Sequence, residues 1–274
     1  MARRQKNIDL LKNIVAWLIS LVVILPAVVI LINSFKTRAE SYTLTLQLPK
    51  SFEISNYTTV IEKGKLGISF INSMIYATIS SALIIILTCT AAFIMSRNQI
   101  KLNKFLYFFI ILGIAMPVNY ITLLKVMQIL HLINTRFGMI LLYTAFNIPI
   151  SLFISYGFVK TIPKEIDEAA IIDGCPPIKL YTKIILPLLT PVISTLFALN
   201  FMSCWNDFIL PLYYLNSSEK WPMTLAVYNF FGMFMTEWNL VCADIVLTSL
   251  PVLVVYILGQ KYIVNGITAG AVKG

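Results

Sequence analysis

Apolar residues fall into six long runs along this chain, and polar or charged segments separate them. Each run is close to 20 residues long, which is the length that a helix needs to cross about 30 Å of hydrocarbon. The pattern therefore predicts an all-α integral membrane protein with six transmembrane helices. The predicted spans cover residues 14–32, 70–95, 106–129, 139–159, 185–210 and 240–262.

Composition supports this class and excludes a water-soluble globule. Apolar residues make up 58% of the chain and charged residues only 12%, which is about half the charged fraction of soluble domains. The basic N-terminus leads into the run at 14–32, as in a signal peptide. That run is too long for a signal sequence and lacks an A-x-A cleavage site, so we expect an uncleaved first span.

The net charge of +9 would suggest nucleic acid in a soluble protein, but topology explains it better here. Six spans put both termini on one side, and placing that side in the cytoplasm puts most Lys and Arg there. Arg97, Lys101 and Lys104 crowd the short loop after the second span. The positive-inside rule predicts that both termini and the loop at 160–184 are cytoplasmic. Since topology accounts for the positive charge, we expect no nucleic-acid partner.

Catalytic chemistry is not expected from this chain. The four cysteines show no metal-ligand spacing, and His131 is the only histidine. Gly64-Lys65 is followed by Leu66, and no glycine-rich loop precedes it, so the phosphate cradle of an ATPase is missing. We therefore expect no catalytic residue, no metal and no cofactor of its own.

The polar segment at 165–188 reads EIDEAAIIDGCPPIKLYTKIILPL and lies between two apolar runs. Acidic residues open it, which suits the positive end of a helix dipole. Gly174 can adopt the left-handed conformation that ends a helix, and Pro176-Pro177 can start the next one. The segment predicts two short cytoplasmic helices with a sharp turn between them.

One face of the first short helix has two alanines at its centre. The residues at i, i+3, i+4 and i+7 on that face are Ile166, Ala169, Ala170 and Asp173. Its two alanines would give a smooth strip on which a partner surface could close. Without further information, an ordinary solvated loop helix is an equally good interpretation.

The same segment resembles the EAA signature of the membrane permease subunits of ABC importers. Glu168-Ala169-Ala170, Gly174, Ile184 and Leu186-Pro187 lie at the spacing of that signature. The resemblance implies the type I importer fold and a coupling helix that sits in a cleft of a separate ATPase subunit, where ATP and magnesium bind. It assigns the coupling role to Glu165, Glu168, Ala169, Ala170, Asp173, Gly174, Leu186 and Pro187.

Two further stretches narrow the resemblance to the sugar permeases related to the G subunit of the maltose transporter. They are NFMSCWNDFILPL at 200–212 and QKYIVNGITAGAVKG at 260–274. The resemblance covers roughly residues 70 to 274. It implies an N-terminal part at 1–69 with the first span and an outer segment, a core permease domain at 70–262, and a cytoplasmic tail at 263–274 that reaches the ATPase dimer.

Trp205, Asn206 and Asp207 form a candidate sugar contact. An ionisable group such as Asp207 at a membrane span is costly unless it is paired or faces water. Trp can stack on a sugar ring, while Asn and Asp can bond its hydroxyls. The alternative is a structural cluster, with Trp at the interfacial belt and Asp either capping a helix or pairing with another group. Asp244 is a weaker candidate of the same type.

The outer loop between spans five and six is a second candidate contact. The resemblance, which rests on the length and position of the loop, implies that it enters the cleft of an external binding protein. Asn216, Ser217 and Ser218 are its candidate contact residues. A plain connecting loop is the alternative.

The sequence thus predicts a permease subunit of a bacterial ABC importer in the cytoplasmic membrane. A second permease subunit in a heterodimer, two ATPase subunits and an extracellular solute-binding protein are its expected partners. The expected cargo is an oligosaccharide, with an α-galactoside or a maltodextrin favoured. Alternatives are an importer of peptide, polyamine or phosphate, and a membrane scaffold or channel without an ATPase.

Overall fold

The computed structural model describes residues 2–231 and 236–271, with side chains for residue 10 and residues 12–231 and 236–260. It is built from helices, and contacts divide it into two compact units. The first unit comprises Met1–Gly67 and Ala226–Leu250, and the second comprises Ile68–Leu225 and Pro251–Gly274. Residues 272–274 of the predicted tail lie outside the described residues, and α14 carries the preceding part of the tail as helix.

The α-helices are α1 Ala2–Asn33, α2 Arg38–Ser41, α3 Ser55–Lys63, α4 Leu66–Arg97, α5 Lys101–Leu112, α6 Tyr120–Ile129, α7 Arg136–Val159, α8 Glu165–Ile172, α9 Pro177–Lys179, α10 Leu186–Leu188, α11 Thr190–Asn206, α12 Ile209–Tyr214, α13 Met223–Ala226 and α14 Trp238–Ala271. A π-helix covers Leu180–Ile185, and 3₁₀ turns cover Ser218–Lys220 and Val227–Phe230.

Four described helices are long and apolar enough to cross a membrane, namely Lys12–Asn33, Leu66–Arg97, Arg136–Val159 and Trp238–Gln260. A fifth crossing is made if Pro177–Leu188 and Thr190–Asn206, which meet at 72°, form one broken span. Prolines flank this bend at positions 187 and 191. Because proline lacks an N–H, the helical ladder is interrupted there.

The predicted third span at 106–129 is not one helix. α5 ends at Leu112, α6 begins at Tyr120, and the residues between them include Pro117. Proline disfavours helical geometry at the residue before it and cannot donate a ladder bond. The Asn119 side chain then accepts a bond from the N–H of Thr122 (3.0 Å) and caps α6. A continuous helix at this position was therefore a wrong prediction.

In the first unit, a buried polar network ties the segment after α1 to α14. The ammonium of Lys36 is buried and donates to Asn33 Oδ1 (2.9 Å) and to the Thr45 carbonyl (2.9 Å). The amide of Asn56 donates to the carbonyls of residues 34 and 36, and the Asn239 amide donates to Asn56 Oδ1 (2.8 Å). The segment between α1 and α4, which is predicted to lie outside, therefore has a defined structure that includes α2 and α3.

The core of the second unit lies between α4, α7, α11 and the segment that joins α7 to α11. Ser151 on α7 and Asn200 on α11 bond each other inside it, with Asn200 Nδ2 donating to Ser151 Oγ (3.0 Å). Such pairs link helices inside a membrane, where apolar surfaces alone give little preference for one partner. Buried apolar members of the core are Cys89, Ala92, Leu152, Tyr156, Val159, Ile162, Ala170, Leu180, Ile185, Leu189, Val192 and Leu196.

Candidate coupling segment and outer polar cavity

The coupling segment, residues 165–188, begins with α8, and Gly174 ends that helix. Gly174 has φ +76°, its N–H donates to the Ile171 carbonyl (3.0 Å), and the N–H of Cys175 donates to the Ala170 carbonyl (2.9 Å). These two bonds form the Schellman motif that closes helices with a left-handed residue. The predicted left-handed turn at Gly174 is confirmed.

The second part of the coupling segment starts as predicted, with Pro177 as the first residue of α9. It continues through the π-helix into α10, and then bends into α11. Leu186 is half-buried and Pro187 is exposed, while Ile185 and Leu189 on either side are buried in the core. Leu186-Pro187 therefore lies close to the junction where the coupling segment joins α11.

An ion pair holds α8 against the end of α4. Arg97 Nε lies 2.6 Å from Asp167 Oδ2, and the two side chains are only 15% and 12% exposed. Arg97 Nη2 also donates to the carbonyl of Ile162, just before α8 (3.1 Å). The motif did not point to Asp167, because its partner lies 70 residues earlier in the chain.

The two alanines of the signature face opposite environments. Ala170 is 6% exposed and packs in the core of the second unit, whereas Ala169 is exposed. The prediction that both form one open strip is therefore wrong for Ala170. Adjacent positions on a helix point about 100° apart, so one side of a face at i, i+3, i+4 and i+7 can be buried while the other side is exposed.

The outward side of the coupling segment combines acidic and apolar side chains. Glu165, Glu168 and Asp173 are exposed, as are three isoleucines at 62%, 86% and 78%. These isoleucines are Ile171, Ile172 and Ile178. Large apolar side chains exposed together often mark protein interaction sites. These three were not singled out from the sequence, because the segment contains six isoleucines and the sequence does not show which of them are exposed.

Trp205 is part of the core of the second unit. It is 1% exposed, stacks on Phe201 with ring centroids 5.5 Å apart, and meets the edge of Phe70 at 6.0 Å. A ring enclosed in this way has no free face for a sugar. The structural alternative therefore fits Trp205 better than the sugar-contact prediction.

Asp207 and Asn206 line a polar cavity of about 270 Å³, which is here called the outer polar cavity after the side of the membrane that the sequence predicts for it. The Asp207 carboxylate accepts bonds from the N–H groups of residues 209 and 210 (both 3.2 Å), which caps α12. It also lies next to the buried hydroxyl of Tyr143. Asp207 is thus satisfied as a cap and still borders the cavity. The lining residues are Tyr143, Phe146, Asn147, Ser203, Asn206, Asp207 and Leu210.

The predicted binding-protein loop is anchored to its neighbours. Asn216 is exposed and Ser218 is half-buried, but the N–H of Ser217 donates to Asn134 Oδ1 (3.2 Å). Lys220 Nζ donates to the Asn134 carbonyl (2.6 Å). Two α4 side chains, Asn72 and Tyr76, donate to loop carbonyls as well. Hydrogen bonds therefore fix the position of the loop, and the side-chain amide of Asn216 remains exposed.

Comparisons with known proteins agree on one family. The profile of the family "Binding-protein-dependent transport system inner membrane component" matches residues 88–268. The probable starch degradation products transport system permease protein AmyC of Thermoanaerobacterium thermosulfurigenes is 36% identical, covering 93% of both chains. The melibiose/raffinose/stachyose import permease protein MelC of Bacillus subtilis is 31% identical over 100% of this chain and 99% of its own.

A solved structure has the same fold. It is a bacterial ABC transporter involved in the import of the acidic polysaccharide alginate, with a TM-score of 0.83 and 21% identity. The match covers 95% of this chain and 98% of that chain. The profile and these relatives show that the chain belongs to the family of inner membrane components of binding-protein-dependent transport systems.

Proposed function

We propose that the chain is the permease subunit of an ATP-driven importer that carries a sugar, and specifically an oligosaccharide, into the cytoplasm. The observation that carries this proposal is that the relatives matching over nearly the whole chain are named as permeases for starch degradation products and for melibiose, raffinose and stachyose. An external binding protein delivers the sugar to the outer side.

The proposed topology has six crossings with both termini in the cytoplasm of a bacterium. α5 and α6 together make the third crossing, and the bent pair makes the fifth. Arg97 at the end of α4 and Lys101 and Lys104 at the start of α5 support a cytoplasmic position for the loop between these helices. The coupling segment then also lies in the cytoplasm, because an even number of crossings separates it from that loop.

The proposed partners are a second, different permease subunit, two ATPase subunits and the solute-binding protein. ATP and magnesium bind to the ATPase subunits. The exposed acids and isoleucines of the coupling segment support a protein partner on that side. The apolar window of α1 is 0% buried, so either lipid or a neighbouring subunit surrounds it.

The contacts of α8 support a coupling mechanism. A push on its outward side acts on α4 directly, because Arg97 and Asp167 join the two helices. It acts on the core through Ala170, and on α11 through the bend after Leu188. Nucleotide-driven closure of the ATPase pair can in this way move several transmembrane helices together.

The first test measures sugar-stimulated ATPase activity of the reconstituted complex. Gly174→Asp combined with Glu168→Lys is expected to lower the stimulation at least about tenfold. The left-handed turn costs a residue with a Cβ roughly 1–2 kcal/mol, and the lysine reverses a charge on the outward side. A Cβ at Gly174 meets no atom within 4 Å, so the fold itself has room for the change.

Glu62→Lys on α3 is the matched control, since Glu62 is exposed and lies outside the coupling segment. It should leave the stimulation unchanged. Full stimulation in the double variant would contradict the coupling role and favour a scaffold or channel. Stimulation by a peptide, a polyamine or phosphate, with none by a panel of sugars, would favour the other importer class.

The outer polar cavity is the proposed sugar contact of this subunit. Asn206→Leu is expected to raise the sugar concentration needed for half-maximal transport about fivefold, because one lost hydrogen bond costs about 1 kcal/mol. Asn98→Leu, at an exposed position near the end of α4, makes the same change away from the cavity. An unchanged concentration dependence in Asn206→Leu would place the sugar contacts elsewhere.

A further inference from the structure

A second and larger cavity, here called the inner groove, lies in the second unit between α5, α7 and α11. Its volume is about 740 Å³. Its lining is dominated by aromatic and aliphatic side chains. The lining residues are Gln99, Lys104, Tyr107, Phe108, Ile150, Phe153, Ile154, Tyr156, Gly157, Phe158, Lys160, Val192 and Thr195.

The charge of the inner groove is confined to one end. Lys104 lies in the first turn of α5, Lys160 caps the C-terminus of α7, and both are exposed. Among the described lining residues, these two lysines are the charged ones. Ile150 lies ten residues before Lys160 on α7, so the apolar lining extends about 15 Å from the lysines.

Gly157 keeps the inner groove open, and a contact with Tyr156 fixes the position of the Lys160 ammonium. A Cβ at Gly157 would meet no atom within 4 Å, so the glycine leaves space beside α7. The Lys160 ammonium lies 4.5 Å from the centre of the Tyr156 ring, and this cation–π contact holds it at the mouth.

We propose that the inner groove binds an anionic phospholipid of the cytoplasmic leaflet. Lys104 and Lys160 contact its phosphate, and one acyl chain lies along Phe108, Phe153 and Ile154. A basic pocket between transmembrane helices on the cytoplasmic side is a suitable site for an acidic headgroup. An apolar helix of another subunit would instead place hydrocarbon against two ammonium groups. This lipid site goes beyond the transport function and uses none of the residues assigned to it.

The test is lipid binding to the purified importer complex, followed by native mass spectrometry during titration with dioleoyl-phosphatidylglycerol. Each lysine near an anionic headgroup contributes roughly fivefold in affinity, so Lys104→Ala with Lys160→Ala should weaken binding about thirtyfold. Binding should then equal that of dioleoyl-phosphatidylcholine. Gly157→Leu should displace both lipids, because its side chain occupies the groove.

Lys101→Ala with Lys164→Ala is the matched control. Both lysines are exposed and near the same end of the helices, but they do not line the inner groove. An equal loss of affinity in the control would show general surface attraction and overturn the site. Competition by soluble glycerophosphoglycerol, which has no acyl chain, would reduce it to a phosphate site. If Lys104→Ala with Lys160→Ala binds lipid normally but no longer retains the second permease subunit in the complex, the inner groove is a contact site for a protein partner instead.

Discussion

Replacing Asp167 with alanine is expected to release α8 from α4 and to abolish coupling between the ATPase and the transmembrane helices. The change leaves Arg97, which is 15% exposed, without its carboxylate. Removing one partner of a buried pair costs about 3 kcal/mol or more, which corresponds to more than a hundredfold change in local opening. Hydrogen exchange of the α8 amides should accelerate by that factor, and sugar-stimulated ATPase activity should fall with it.

Glu168→Ala is the matched control for the exchange measurement, because Glu168 is the next acid on the same helix and is exposed. It should leave the protection of the α8 amides nearly unchanged. Arg97→Ala should reproduce the effect of Asp167→Ala, and combining both should cost little more than either alone. Additive losses in the double variant would show that the two side chains act separately.

The second large effect is expected at Trp205. Trp205→Ala should lower the free energy of unfolding of the chain by about 3 kcal/mol or more, because it opens a cavity between Phe70 and Phe201. The expected result is a clear fall in the thermal unfolding midpoint in detergent. Trp205→Phe keeps part of the stacking, so it should lose about half as much.

Asn206→Ala provides the comparison, since it is the next residue along the chain and is exposed. It should change sugar transport more than stability, and Trp205→Ala should do the reverse. A Trp205→Ala variant that is fully stable but fails to transport sugar would contradict the structural role and support a sugar contact at Trp205.

Local sequence signals predicted the features that depend on a few neighbouring residues. Gly174 follows an apolar helix turn, and the left-handed geometry needs only residues 170–175. Pro177 begins the next helix for an equally local reason. The break between α5 and α6 was harder to see, because the segment that contains Pro117 is itself apolar and hides the interruption within a long run.

Features that depend on tertiary contacts did not follow from the sequence. The burial of Ala170 and the exposure of Ala169 are decided by where the α7–α11 core lies, and the motif alone treats them as a pair. Arg97 looked like one member of a basic loop, which is what the positive-inside rule expects. Its partner Asp167 looked like one of three acidic residues at the start of a helix. Neither residue therefore indicated from the sequence that the two form an ion pair.

The polar network of the first unit has a consequence for how the protein is made. The amide of Asn239 bonds Asn56 across 183 positions of the chain, and the unit is assembled from two parts of the sequence, Met1–Gly67 and Ala226–Leu250. During synthesis the N-terminal part emerges first, so Asn56 and the segment around Lys36 wait without this contact until the last span leaves the ribosome. A chain truncated before residue 239 therefore lacks this bond, and Asn56 Oδ1 loses the Asn239 donor that it has in the full chain.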